Sequence, residues 1–419
     1  MSEASAYVYI DMGGSPRLVG RLWTNIRSGR ESATFEYDES WISFEGRFSL
    51  EPALRVGPGP FYTSEDRSIF SALGDSAPDR WGRTLIARQE RLAARMQGRQ
   101  PRSLRELDYL LGVSDLTRSG ALRFSLEEGG SFVADEEHGS VPPLVELPRL
   151  LSATEHVIAQ TEDEDDLRIL LAPGSSLGGA RPKASVRDSN GTLLIAKFPA
   201  ESDSYDIVRW ESVALELASR AGIEVADWRL EDIGTREALL IRRFDRRSTT
   251  RIPFLSAMSM LDANERENRS YIEIADSLRE HGAEAKSDLK ALWRRVVFNI
   301  LVNNTDDHLR NHGFLYVGNV GWKLAPAYDL TPVPLDIGPR VLSTAIGFDE
   351  DRTASLEIAL AVAEYFGLEE SEAREVAREV ADAVTGWREA ALSAGIERSE
   401  IDRLATAFEH EDLSLARSS

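Results

Sequence analysis

The sequence predicts an α+β protein in which short antiparallel strands precede a long helical region. Three observations carry this. Alternating apolar runs separated by Gly and Ser crowd the first fifty residues. Two further strand–turn–strand patterns lie between 183 and 247. From 256 onward, apolar residues recur mostly at helical spacing.

Taken in order, YVYIDM, RLVGRLW, ATFEYDESWI and GRFSL predict a small antiparallel sheet within residues 1–125. Helical text follows in DRWGRTLIARQERLAARMQGR and LRELDYLLGV. Residues 126–168 are rich in Gly, Pro and acid, and predict a connector with a short helix over 144–160 and a solvated charge run. KASVRD-SNG-TLLIAKFPA predicts a hairpin. In SYDIVRWESVALELASRAG, Ile207, Trp210, Val213, Ala214 and Leu217 share one helical face, and Gly222 ends the helix. DWRLEDI-GT-REALLIRRFDRR predicts a second hairpin. SDLKALWRRVVFNILVNN predicts a helix capped by Ser287, with Leu289, Leu292, Trp293, Val296, Val297, Ile300 and Leu301 as its stripe. No internal repeat is visible. The order is the outline of a two-lobed protein-kinase-like fold: a mixed N-lobe with a small antiparallel sheet over 126–245, a helical C-lobe over 246–419, and an extra N-terminal β-rich domain over 1–125.

Composition narrows the function classes. The 419 residues suffice for two or three domains, and 42% hydrophobic with 28% charged residues describes a soluble globular chain. There is no Cys, which removes disulfides, thiolate zinc sites and cysteine nucleophiles. The opening MSEASAYVYIDMGG has neither a basic n-region nor an apolar h-region, and no apolar run approaches a membrane span, so a cytoplasmic location is expected. The net charge of −21 disfavours nucleic-acid binding through the overall field and leaves room for a basic protein partner.

NNTDDHLRNHGFLYV, residues 303–317, is the most suggestive stretch. Asp306 stands five positions before Asn311 in a polar loop that follows a buried helix. Protein kinases space the Asp that accepts from the substrate hydroxyl and the Asn that holds Mg²⁺ in the same way. A hairpin, GFLYV-GNVG-WKLAP, then delivers AYDL with Asp329, a second carboxylate for the metal. A competing reading sets Asp307, His308 and His312 around Zn²⁺, although a loop running into a strand lacks the helical spacing. In TLLIAKFPA, period two puts Leu193, Ile195 and Lys197 on an inward face, where a Lys needs a partner. Glu211 and Glu216 both qualify. PGSSLGGARPKASV, 173–186, combines small residues with Arg181 and Lys183, as a phosphate-binding loop would, yet matches neither standard glycine motif.

SSLGGARPK, IAKFP, RRFDRR, NTDDHLRN and AYDL, in this order, together with FSALGDSAPDRWGR near the start, resemble the HipA-type serine/threonine kinase toxins of bacterial type II toxin–antitoxin systems. The likeness covers nearly the whole chain. It implies that Gly178, Gly179, Ala180, Arg181, Pro182 and Lys183 form the phosphate-binding loop, and that Ser176, or its neighbour Ser175, is autophosphorylated. It implies that Lys197 contacts ATP and that Arg242, Arg243 and Phe244 form the adenine hinge, where some members carry an acidic residue in place of Arg242. His308, Leu309, Arg310 and Asn311 would touch nucleotide or metal, with Asp306 as base, Tyr328 and Asp329 completing an ATP–Mg²⁺ site, and Asn311 and Asp329 as metal ligands. The resemblance further implies a HipB-like DNA-binding antitoxin, contact with operator DNA mainly through it, and an aminoacyl-tRNA synthetase substrate, glutamate–tRNA ligase first. A non-catalytic antitoxin-binding co-repressor and a small-molecule phosphotransferase are the competing functions; a co-repressor has no need of Lys197, Asp306, Asn311 and Asp329 together.

Overall fold

A computed structural model describes residues 4–27, 29–134, 141–171, 179, 181–318 and 320–418. The chain folds as two compact units, Met1–Ala200 with Asp232–Leu255, and Glu201–Glu231 with Ser256–Ser419.

The first unit opens with strands β1 (Ala4–Ile10), β2 (Arg17–Arg27), β3 (Arg30–Tyr37), β4 (Pro60–Tyr62) and β5 (Leu122–Ser125). They form one antiparallel sheet in the order β4-β3-β2-β1-β5. GRFSL is not a strand. The Tyr37 hydroxyl accepts from the Leu50 amide at 3.2 Å and donates to the Leu54 carbonyl at 2.6 Å, so a side chain satisfies backbone that a ladder would otherwise pair. DESWI turns into the short helix Glu39–Ile42, because Asp38 accepts from the Ser40 amide as its N-cap.

Helix α1 (Arg80–Met96) buries Trp81, Leu85 and Ile86. These pack with Leu150 and Val157 of α2 (Leu147–Ala159) and Leu167 and Leu170 of α3 (Glu164–Leu171). The acid run read as solvated connector is the first turn of α3, where carboxylates meet the positive end of the helix dipole. The same core takes one face of the hairpin β6 (Lys183–Arg187) and β7 (Leu193–Lys197), through Ala184, Val186, Leu194 and Ala196. The expected faces of β7 are therefore exchanged: Leu194 and Ala196 point into the core, while Leu193 and Ile195 are half-buried. Strand β8 (Trp228–Ile233) carries the chain back into this unit, and β9 (Arg236–Arg242) pairs with β7.

In the second unit, α4 (Ile207–Arg220), α5 (Tyr271–His281) and α6 (Ala285–Leu301) join the later helix α7 (Glu370–Thr385). The whole predicted stripe of α6 is buried. The helix begins two residues before the expected Ser287 cap; the Ser287 hydroxyl instead donates to the Glu284 carbonyl, at 2.9 Å, inside the first turn. The predicted hairpin forms as β10 (Gly313–Tyr316) and β11 (Trp322–Leu324), with Phe314 opposite Leu324. Gly321 in its turn has φ +118°, and a Cβ there would lie 2.4 Å from the His281 carbonyl oxygen. Gly321→Ala is expected to cost roughly 2 kcal/mol or more, measured by urea unfolding; unchanged stability would show that this approach is not binding.

Candidate active site

In the second unit, α6 ends at Leu301, and Asn303 takes a left-handed backbone, φ +51°. Two consecutive amides then tie the helix end to the segment carrying Asp329. Asn303 Nδ2 donates to the Val333 carbonyl, and the Val333 amide returns to the Asn303 carbonyl at 3.1 Å. Asn304 Oδ1 accepts from the Thr331 amide at 3.3 Å, while its Nδ2 donates to Asn299 Oδ1 at 3.0 Å. The Ala327 amide donates to the Glu224 carbonyl at 2.7 Å, which fixes the other end.

Beyond Asn304 the two aspartates part. The Asp306 side chain is 73% exposed, with His308 Nε2 4.0 Å from Oδ1. Asn311 Nδ2 donates to the Asp306 carbonyl at 2.7 Å, so the five-residue spacing closes on itself. With its nitrogen committed, Asn311 keeps a carbonyl oxygen, the donor type that hard cations take. Leu309–Asn311 form one 3-10 turn, the Tyr328 hydroxyl donates to the Arg310 carbonyl at 2.7 Å, and Asp329 follows with φ +53°. The structure thus holds Asp306, His308, Arg310 and Asn311 in one short stretch, and the Tyr328 hydroxyl bonds to it. Asp329 follows Tyr328 in the chain; its carboxylate and the Asn311 amide oxygen are donor types that Mg²⁺ takes.

Asp307 is buried. Its carboxylate accepts from the Tyr271 hydroxyl and from the Ser343 and Thr344 amides, at 2.6 and 3.4 Å. Burial raises its pKa to about 7 against the pull of these hydrogen bonds. His312 is buried too, edge-on to Tyr271 at 5.1 Å, with Nε2 3.1 Å from the Asp307 carbonyl. Burial and the Arg295 charge hold its ring neutral, down to about 3. Both side chains are engaged in holding the loop, and among the described residues no group of three or more His, Cys, Asp and Glu is placed to hold a metal. The zinc arrangement is not assembled. Arg295, Asn299, Asn304, Asp307, Asn311 and His312 line one small cavity together with apolar residues such as Ile223 and Phe298. Arg295, Asn299 and Tyr271 were missed in the sequence; two polar residues four apart on the apolar α6 were the available signal.

The first unit holds the other expected residues. Lys183 and Lys197 stand directly opposite each other in the β6–β7 ladder, and both are buried. Lys183 Nζ lies 2.8 Å from Asp79 Oδ2. Gly179 has φ +86°, which suits glycine; Ser175, Ser176, Gly178 and Ala180 lie outside the described residues. Of the hinge triplet, Arg242 is exposed and Phe244 packs on Phe254 with ring centres 6.1 Å apart. The Arg243 guanidinium binds Asp245 and the Thr117 and Arg118 carbonyls. Burial alone would raise the Asp245 pKa, but the Arg243 and Arg246 charges hold it well below the usual carboxylate range. The Arg243 side chain is thereby a structural tie.

Residues 11–109 match the family model described as HipA N-terminal domain, and residues 175–387 match the HipA-like C-terminal domain. The chain belongs to the HipA-like family. It is 27% identical over 360 residues to Y4mE of Sinorhizobium fredii, a proposed kinase by its name, covering 78% of each chain. A Haemophilus influenzae protein, also named as a proposed kinase, is 24% identical over 271 residues, 58% of this chain and 74% of that one. A chain of the Shewanella oneidensis toxin–antitoxin complex of HipA, HipB and operator DNA shares the fold, with TM-score 0.62 and 15% identity over 98% of this chain and 96% of that one. The kinase-like α+β fold expected from the sequence is the fold observed.

Proposed function

We propose that this chain is an ATP- and Mg²⁺-dependent protein serine/threonine kinase and the toxin of a toxin–antitoxin pair. The observation that carries the reading is the pairing of an exposed Asp306 with Asn311 on a loop whose other aspartate is buried as its support. An exposed carboxylate on a rigid loop is what a substrate hydroxyl needs in order to be oriented and to lose its proton. Asn311 and Asp329 would hold Mg²⁺, which supplies charge neutralisation at the phosphates. Lys197 would pair with the phosphates, and Gly179, Arg181 and Pro182 would approach them by backbone. In this reading 1–125 is the family's N-terminal part, 126–245 carries the nucleotide grip and 246–419 the catalytic loop.

The partner is a HipB-like antitoxin that carries the contact with operator DNA, and the substrate is an aminoacyl-tRNA synthetase, glutamate–tRNA ligase first. Ser176 is the site of autophosphorylation, which adds about −1.5 to −2 charges beside the nucleotide phosphates and switches the kinase off. No helix among the described residues is long and apolar enough to cross a membrane.

The test is incubation of the chain with labelled ATP·Mg²⁺ and a bacterial lysate, followed by identification of the labelled protein and the modified residue. Label on a synthetase, absent with Asp306→Asn, supports the reading. Label on a small molecule alone refutes it. Asp329→Ala is expected to weaken Mg²⁺-dependent ATP binding about tenfold or more, read by ATP titration with and without Mg²⁺. An unchanged metal dependence removes Asp329 from the site.

A further inference from the structure

Lys183 was expected to lend its charge to phosphate. The structure gives that ammonium a different partner. Lys183 Nζ lies 2.8 Å from Asp79 Oδ2, and both side chains are 3% exposed. Asp79 does two things at once: its other oxygen accepts from the Gly82 amide at 2.8 Å and caps α1. The first turn of α1 contributes again, since Trp81 Nε1 donates to the Lys183 carbonyl at 3.1 Å. On its other side Lys183 faces Lys197 across the ladder, and the Pro182 carbonyl accepts from the Phe198 amide at 3.1 Å. A Cβ on Gly179 would sit 3.2 Å from Lys183 Nζ, so the ammonium lies directly beneath the glycine backbone.

Lys183 is thus fixed at its ammonium, its carbonyl and its place in the ladder. Two lysines directly opposite each other in an antiparallel pair share a face and repel, unless each charge is compensated. Asp79 compensates Lys183. Removing that carboxylate takes a counter-charge away from a buried ammonium, which is costly and favours movement of the side chain toward water. That movement would loosen residues 181–183 and disturb the strand that carries Lys197.

We propose that Asp79 is a positioning residue for nucleotide binding: through Lys183 it fixes the backbone of residues 181–183 and the strand opposite Lys197, without touching the nucleotide. This rests on the kinase reading for the ligand, while the anchoring itself stands on the geometry. It gives the N-terminal part of the chain a direct share in ATP affinity.

The test uses the full chain with Asp79→Asn, which keeps a good N-cap for α1. Lys183→Met and the double variant complete a cycle. The expected result is a rise in KM for ATP of about tenfold to a hundredfold in each single variant, with the double no worse, since the two act as one unit. In Asp79→Asn the maximal rate at saturating ATP stays within about twofold. Hydrogen exchange at residues 181–187 is faster in Asp79→Asn than in the parent chain. A lowered melting temperature with unchanged KM and unchanged exchange overturns the proposal, leaving a helix cap and nothing more. A Lys183→Met defect far beyond that of Asp79→Asn also overturns it, because Lys183 would then act on phosphate directly. Tighter ATP binding in Asp79→Asn overturns it as well, showing competition for Lys183 instead of anchoring. A parent chain that binds no ATP, with exchange still accelerated in Asp79→Asn, removes the kinase reading and upholds the anchor.

Discussion

Asp306→Asn is expected to reduce phosphoryl transfer by about 10²–10⁴-fold while leaving ATP binding intact. The substitution is nearly isosteric and the side chain is exposed, so no packing is lost. The contact that closes the loop uses the Asp306 backbone carbonyl, which the substitution does not alter. What disappears is the negative charge and its capacity to accept a proton. Loss of activity with unchanged nucleotide affinity therefore isolates chemistry from architecture. The measurement is initial-rate autophosphorylation beside ATP titration on the same preparation. Near-parental transfer would assign the base role elsewhere.

What the sequence revealed about this site is what local spacing can encode. Asp306, Asn311 and Asp329 lie on one continuous stretch, and the turn between β10 and β11 is marked by Gly318 and Gly321. The α6 stripe was equally plain, because apolar and polar faces contrast there. On β7 the contrast vanishes: LLIA offers apolar residues at both parities, so period two could not choose the inward face, and the wrong one was chosen.

The supports of the site were hidden for a different reason. Tyr271 and Ser343 each lie 36 positions from Asp307, in opposite directions, and Asp79 lies 104 positions from Lys183. No periodicity links residues that far apart. The adjacent aspartates also look identical in sequence, although burial alone gives them different work. GRFSL failed as a strand for a similar reason, since its backbone partner is the Tyr37 hydroxyl, thirteen residues away.

Asp307 carries the second large effect. Asp307→Ala leaves the Tyr271 hydroxyl and the Ser343 and Thr344 amides without their acceptor in a buried place, at a cost of about 3 kcal/mol or more. Asp307→Asn is the more informative change, because an amide still accepts from the two backbone N–H groups but does not ionise. In the parent chain the folded pKa, raised to about 7, lies above the unfolded value of 3.8. The folded state therefore binds the proton more tightly. Stability from this group is fully present below the unfolded value and is lost as pH rises through the window from about 4 to about 7. That loss is on the order of 2–4 kcal/mol. Asp307→Asn lacks this term, so its stability relative to the parent should improve from pH 5 to pH 7.5. Urea unfolding of both chains at the two pH values is the measurement. A difference between them that does not change with pH would mean that the Asp307 carboxyl is ionised in the folded loop at pH 5 already.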